Sequence, residues 1–139
     1  PMKKIILFSL LMSYQLASAQ FNLVVKGIGT ANNAGTFRCL LFAGANGFPK
    51  DPSQAKQFDN GTLASKVGTC VFENLPAGTY AVSTFHDKNN NKDLDTGLFG
   101  IPKEKYGFSN DASKPFGPPD FAEASFKLKA NSQITINLK

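Results

Sequence analysis

Apolar residues in this chain alternate with polar ones over short stretches, and no segment longer than about ten residues carries the three-to-four spacing of an amphipathic helix. That pattern confines the fold to sheets. Phe21 to Gly27 sets Phe21, Leu23 and Val25 against Asn22, Val24 and Lys26, the period of two of a half-buried strand. Thr36 to Phe42 repeats it with Phe37, Cys39 and Leu41 on one face, and Lys66 to Phe72 follows. Tyr80, Val82 and Thr84 resume after the turn residues Pro76 and Gly78, so a hairpin is expected there. Ser125 to Leu128 and Gln133 to Leu138 supply two more strands, with a turn over Lys129 to Ser132 between them. Gly44 to Pro52 reads as loop, and Ser53 to Phe58 as one helical turn capped by Ser53. Short strands separated by Gly, Pro and Asn, with no internal repeat, predict an all-β domain. The expected form is an antiparallel β-sandwich of six to seven strands with one long ordered loop.

Residues 1–19 stand apart from that domain. Lys3 and Lys4 precede the apolar run Ile5 to Met12, and Ala17-Ser18-Ala19 is a small-residue cleavage site, the order of a secretory signal peptide. The run is too short for a bilayer span, which takes about 20 residues. No later segment is apolar enough to serve as an anchor, and the residue after cleavage is Gln20 rather than the cysteine of a lipoprotein. The expected mature protein is therefore a single exported domain, 20–139. Its 42% apolar and 18% charged content over the whole chain suits a globular fold rather than a disordered one. Without the two leader lysines, 13 basic side chains face 10 acidic ones, a net +3 with no contiguous basic stripe. Nucleic acid is not an expected partner.

Two cysteines, Cys39 and Cys70, both fall in expected strands. Export to an oxidising compartment would let them pair, closing a loop of about 30 residues and stabilising by roughly 3 to 4 kcal/mol in the chain-entropy model. Two buried free thiols are the alternative.

More than thirty residues separate the strand ending at His86 from the one beginning near Ser125. Compact domains carry loops beyond about 15 residues only when these are functional or disordered. Phe99, Tyr106, Phe108, Phe116 and Phe121 argue for order here, either as a satellite core under the loop, the preferred reading, or as an exposed platform. Within it, Asp87, Asn89, Asn91, Asp93 and Asp95 place oxygen donors at strict alternate positions. A turn curling around a cation points every second residue inward, and Asp with Asn suits a hard ion such as calcium, Asp93 through its backbone carbonyl. The spacing matches the first half of an EF-hand loop with two departures. The sixth position is Lys92 instead of Gly, and the twelfth is Leu98 instead of Glu. Glu104 is the expected source of the missing carboxylate, with Asp111 and Asp120 behind it. The competing account is that these residues only cap turns with their own side chains.

His86 is the only histidine. As a general base with Asp87 or Glu104, and Ser109 or Ser83 as nucleophile, it would make a small hydrolase. A buried ring that hydrogen-bonds the loop is the preferred reading. One histidine and two strand cysteines give no zinc spacing.

The turn Leu75-Pro76-Ala77-Gly78-Thr79-Tyr80 resembles a connection in transthyretin-like and carboxypeptidase-regulatory-like β-sandwiches. Tyr80-Ala81-Val82, Phe85 to Asn91, Asp95, Gly100 to Asn110, Gly117-Pro118-Pro119 and Phe121 together resemble an uncharacterised family of exported bacterial proteins, a domain of unknown function. This chain departs from that family's pattern at Lys92, where Gly is usual. The resemblance implies a bacterial origin and a periplasmic or secreted β-sandwich; it does not imply catalysis. The function expected is an exported binding or accessory module with a calcium-stabilised loop, its partner an envelope or extracellular glycan or protein. The rivals are the hydrolase and a ligand-free structural envelope protein.

Overall fold

The computed structural model describes residues 18–139, so the expected signal peptide lies outside the described residues apart from Ser18 and Ala19. Eight strands follow in order: β1 Gln20–Ile28, β2 Thr36–Phe42, β3 Gln57–Ala64, β4 Val67–Pro76, β5 Gly78–Asp87, β6 Tyr106–Phe108, β7 Phe126–Leu128 and β8 Ser132–Asn137. One helical turn, α1, spans Phe121–Ala124. The expected all-β class holds, but the strands do not build a purely antiparallel sandwich. They run β6-β5-β2-β3-β4-β1-β8, with β7 sharing an edge of β5 with β6. β1 and β8 are parallel, Leu23 opposite Ser132 through Ile28 opposite Asn137. The two ends of the sheet then meet, Tyr106 N donating to Lys139 O at 3.2 Å and Lys139 N to Tyr106 O at 2.8 Å. The result is a mixed, nearly closed, barrel-like sheet.

β3 makes the corner. Its first half pairs with β2, Gln57 to Gly61, and its second half with β4, Thr62 to Ala64. Gly61 sits at the switch, where an added Cβ would lie 2.1 Å from Thr69 O, too close for any side chain. This strand takes over the last two residues of the helical turn expected over Ser53 to Phe58. Its half-buried positions carry Gln57, Asp59, Gly61 and Leu63 while Phe58 faces water, so the usual apolar alternation is inverted. A 3₁₀ turn does form just before it, at Pro52–Gln54, with Asp51 rather than Ser53 as cap, its Oδ1 accepting from Ser53 N at 2.9 Å.

The expected hairpin at Pro76 to Gly78 is also absent. β4 pairs with β1 and β3, whereas β5 pairs with β2, β6 and β7, so the turn carries the chain across the core. Leu75 and Tyr80 are buried on either side of it. Tyr80 OH donates to Pro76 O at 2.6 Å, the device of a tyrosine corner in Greek-key proteins. Burial raises the phenol above its ordinary pKa, which keeps it a donor.

The core forms between the two sides of this barrel. Phe37 reaches from β2 onto Gly27 and Gly68, which face each other across β1 and β4. An added Cβ would come within 2.4 Å of Phe37 Cζ at Gly27 and within 2.2 Å of its Cγ at Gly68. Gly68→Ala is therefore expected to cost on the order of 1 to 3 kcal/mol, as overpacking does. It should appear as a lower urea midpoint with an unchanged slope. A wild-type midpoint would contradict the seating of the ring on the glycine pair. Cys39 and Cys70 are joined beside this ring, Cα to Cα 6.5 Å, linking β2 to β4.

A second apolar cluster lies on the outer face of β2. Phe42 and Phe48 meet edge to face at 5.3 Å, and Phe48 also touches Phe108 at 6.1 Å and Phe121 at 5.9 Å. Segment 43–51 folds over it, tied by Ser83 Oγ donating to Pro49 O at 2.8 Å.

Candidate functional site

β5 ends at Asp87, which is fully buried. Its Oδ2 accepts from Arg38 Nε at 2.5 Å and from Lys92 N at 2.9 Å, and its Oδ1 from Asn91 N at 3.2 Å. One carboxylate thus turns the next five residues back onto the strand. The turn needs left-handed backbone at Asn90, φ +55°, and at Lys92, φ +71°. Asn tolerates this, while Lys carries a cost of roughly 1 to 2 kcal/mol. Gly35 lets the neighbouring chain approach, since a Cβ there would fall 2.0 Å from Asp87 O.

Glu104 is the second anchor, 6% exposed. Its Oε2 accepts from Lys88 N at 2.7 Å and its Oε1 from Asp95 N at 3.0 Å, so it holds both ends of the turn. Beyond it the chain rises into a finger. Lys103 N donates to Asp95 O at 2.7 Å, Thr96 bridges Pro102, and Gly97 N donates to Ile101 O at 2.7 Å. At the apex Leu98 is 83%, Phe99 98% and Ile101 63% exposed, with Phe99 held at φ +59°.

A third anchor fixes the far end of the loop. Ser109 Oγ accepts from Val82 N at 2.9 Å and donates to Ala124 O. Asn110 Nδ2 donates to Ser125 O at 2.7 Å, and the Asp111 carboxylate accepts from Asn137 N and Nδ2, both at 2.8 Å. The expected satellite core is thus realised by Phe108 and Phe121, whereas Phe99 and Phe116 stand in solvent.

The six proposed calcium ligands divide into two sets. Asn89, Asn91 and Asp95 meet at the mouth of the turn, Asn89 Nδ2 and Asn91 Nδ2 donating to Asp95 Oδ2 and Oδ1, each at 2.5 Å. Asp93 is exposed beside them, its N donating to Asn91 Oδ1 at 3.0 Å. Asp87 and Glu104 lie behind, engaged with backbone N–H groups. Among the described residues no group of three or more His, Cys, Asp or Glu side chains is placed to hold a metal ion. The amide oxygens at the mouth are engaged by backbone N–H groups, Asn89 Oδ1 by Asn91 N at 3.3 Å and Asn91 Oδ1 by Asp93 N at 3.0 Å, and each keeps a second lone pair. Asp87 Oδ1 and both Glu104 oxygens each accept only one of the hydrogen bonds described and retain a lone pair. Asp111 and Asp120 do not join this set, being bound to Asn137 and to Lys114 respectively.

His86 is fully buried. Its Nε2–H donates to Ala34 O at 2.6 Å, its Nδ1 has no partner among the described residues, and its backbone N donates to Lys105 O at 2.8 Å. Successive residues of a strand point to opposite faces, so the imidazole and the Asp87 carboxylate diverge. Ser83 and Ser109 are committed to Pro49 and to Val82 with Ala124. Sequence reasoning missed Arg38, the partner of Asp87, and the anchor at Ser109 to Asp111. The only signal available for the first was an arginine at a polar position of an expected strand, between Phe37 and Cys39, which does not reveal its partner.

These features define a small all-β protein built to present one long, thrice-anchored loop. The chain belongs to a bacterial family described as an uncharacterized protein conserved in bacteria, DUF2141, which it matches over residues 25–137, from within β1 to the end of β8. No curated protein and no solved structure matches it.

Proposed function

We propose that this chain is an exported binding or accessory module whose contact surface is the finger of residues 95–103. The observation that carries this reading is the contrast between the finger's apex and its root. Three apolar side chains stand in water, while two buried carboxylates fix the base to four backbone N–H groups. An apolar tip held in one shape by such a base is suited to contact. The Lys3, Lys4 and Ala17-Ser18-Ala19 pattern supports export, as does a paired cysteine bridge, which favours an oxidising compartment. The two sides of the barrel, β1 with β4 and β2 with β5, are compatible with a transthyretin-like sandwich ancestry.

A calcium ion at Asn89, Asn91 and Asp95, with the Asp93 carbonyl, would steady the finger's base. Binding to the folded state alone, at about 100 times the dissociation constant, should add roughly 2.7 kcal/mol. Thermal unfolding in excess chelator, in calcium and in magnesium is expected to show a calcium-specific rise that Asp95→Ala abolishes. Equal midpoints in all three would leave the loop held by hydrogen bonds alone. For the module itself, envelope fractions should retain the wild-type protein and release Leu98→Ser/Phe99→Ser. Equal retention of the two would remove the finger as the contact surface.

A further inference from the structure

Resting on the reading of the finger as a contact surface, we propose that its partner is an anionic phospholipid surface. Leu98, Phe99 and Ile101 enter the headgroup layer, and Lys88, Lys92, Lys103 and Lys105 meet the lipid phosphates.

Two observations select a lipid over a protein groove. The first is area. Three apex side chains, an aromatic one burying on the order of 150 to 250 Å², fall short of the ~800 Å² that a stable protein partner covers on each side. A bilayer interface sets no such threshold, because a small apolar tip partitions into it with affinity that grows with each inserted side chain. The second is charge. All four lysines are exposed around the finger and its root. Of the four carboxylates in the same stretch, Asp87 and Glu104 are buried and hydrogen-bonded, which leaves Asp93 and Asp95 as the only acidic groups near the surface. The stem of Lys103 lies against the finger's own shaft, since a Cβ on Gly97 would meet Lys103 Cε at 3.1 Å. Lysine is depleted from the cores of protein interfaces, whereas lysines flanking an apolar tip are the two signals that together hold a protein at an anionic membrane. Among the described residues no helix is long and apolar enough to cross a membrane, so the contact is peripheral.

The test is co-sedimentation of the purified protein with vesicles of phosphatidylethanolamine and phosphatidylglycerol, and with vesicles of phosphatidylcholine alone. Wild type is expected to bind the anionic vesicles at least tenfold more tightly, and to weaken as salt is raised. Leu98→Ser/Phe99→Ser should lose at least tenfold, and Lys103→Gln/Lys105→Gln should lose severalfold together with much of the salt dependence. Phe58→Ser, an exposed aromatic on β3 and away from the finger, should bind as wild type. Matching unfolding midpoints confirm that each variant is folded. Wild type that fails to bind anionic vesicles, or a finger variant that binds them as wild type, overturns the proposal. Detergent-solubilised envelope proteins separate the two readings. If the finger variant loses capture of a protein there while vesicles are ignored, the finger is a contact surface for a protein and the lipid proposal falls. If neither measurement responds to the finger variant, both readings fall.

Discussion

Asp87→Ala is expected to lower the unfolding free energy by roughly 3 to 5 kcal/mol, the cost of removing one partner of a buried pair. At this chain length that corresponds to a fall in midpoint on the order of 10 to 20 °C. Three groups lose an acceptor together. Arg38, whose side chain is only 15% exposed, is left beside the strand without its carboxylate, the N–H of Lys92 is left without an acceptor, and that of Asn91 keeps only Asn89 Oδ1 at 3.3 Å. The loss should be shared between loop and barrel, because Arg38 sits in the middle of β2 and also holds Asn60 on β3. Urea unfolding of Asp87→Ala, Arg38→Met and the double variant measures it. The double variant should recover part of the loss, since it no longer leaves the guanidinium unpaired. A single variant as stable as wild type would show that the pair contributes nothing and that the turn holds itself.

Removal of the Cys39–Cys70 bridge is expected to cost roughly 3 to 4 kcal/mol, given a sequence separation of 31 between the two cysteines. The effect acts mainly on the unfolded chain, which the bridge keeps compact. Cys39→Ala/Cys70→Ala should therefore show a lower urea midpoint and a steeper slope, because its unfolded state exposes more surface. A lower midpoint at constant slope would assign the loss to packing around Phe37 instead. Equal midpoints for oxidised and reduced wild-type protein would contradict the bridge as a source of stability.

Much of the strand content was legible because β1 and β2 bury one face and alternate accordingly, and because β5, buried on both faces, is rich in β-branched and aromatic residues. β3 was not, since its half-buried positions hold Gln57, Asp59 and Gly61, residues chosen for a corner rather than for a core. The pairing was also hidden. Pro76 and Gly78 signal a turn, yet a turn of that composition serves equally for a hairpin and for a crossing, and only the pairing of β4 with β1 and β3, and of β5 with β2, β6 and β7, decides between them. At the loop, the alternate Asp and Asn side chains marked the right segment. Their division into a buried anchor, Asp87, and an open mouth, Asn89 with Asn91 and Asp95, depends on Arg38 and Glu104, which lie 49 and 17 positions away from Asp87. Local spacing carries no information about such distant partners.

The parallel pairing of β1 with β8 bears on the order in which this protein can assemble. Asn22 N donates to Asn131 Oδ1 across a separation of 109 residues, and the strand contacts beside it span similar distances. During synthesis β1 can take β4 as a neighbour, but its opposite edge stays open until residues 132–137 have emerged. An open edge of this kind is a template for pairing with another chain. Contacts this distant in sequence also form slowly, because loop closure precedes any gain from them. Completion of the barrel is therefore a late event, and agents that keep the chain extended until its last strand is available should raise the yield of folded monomer.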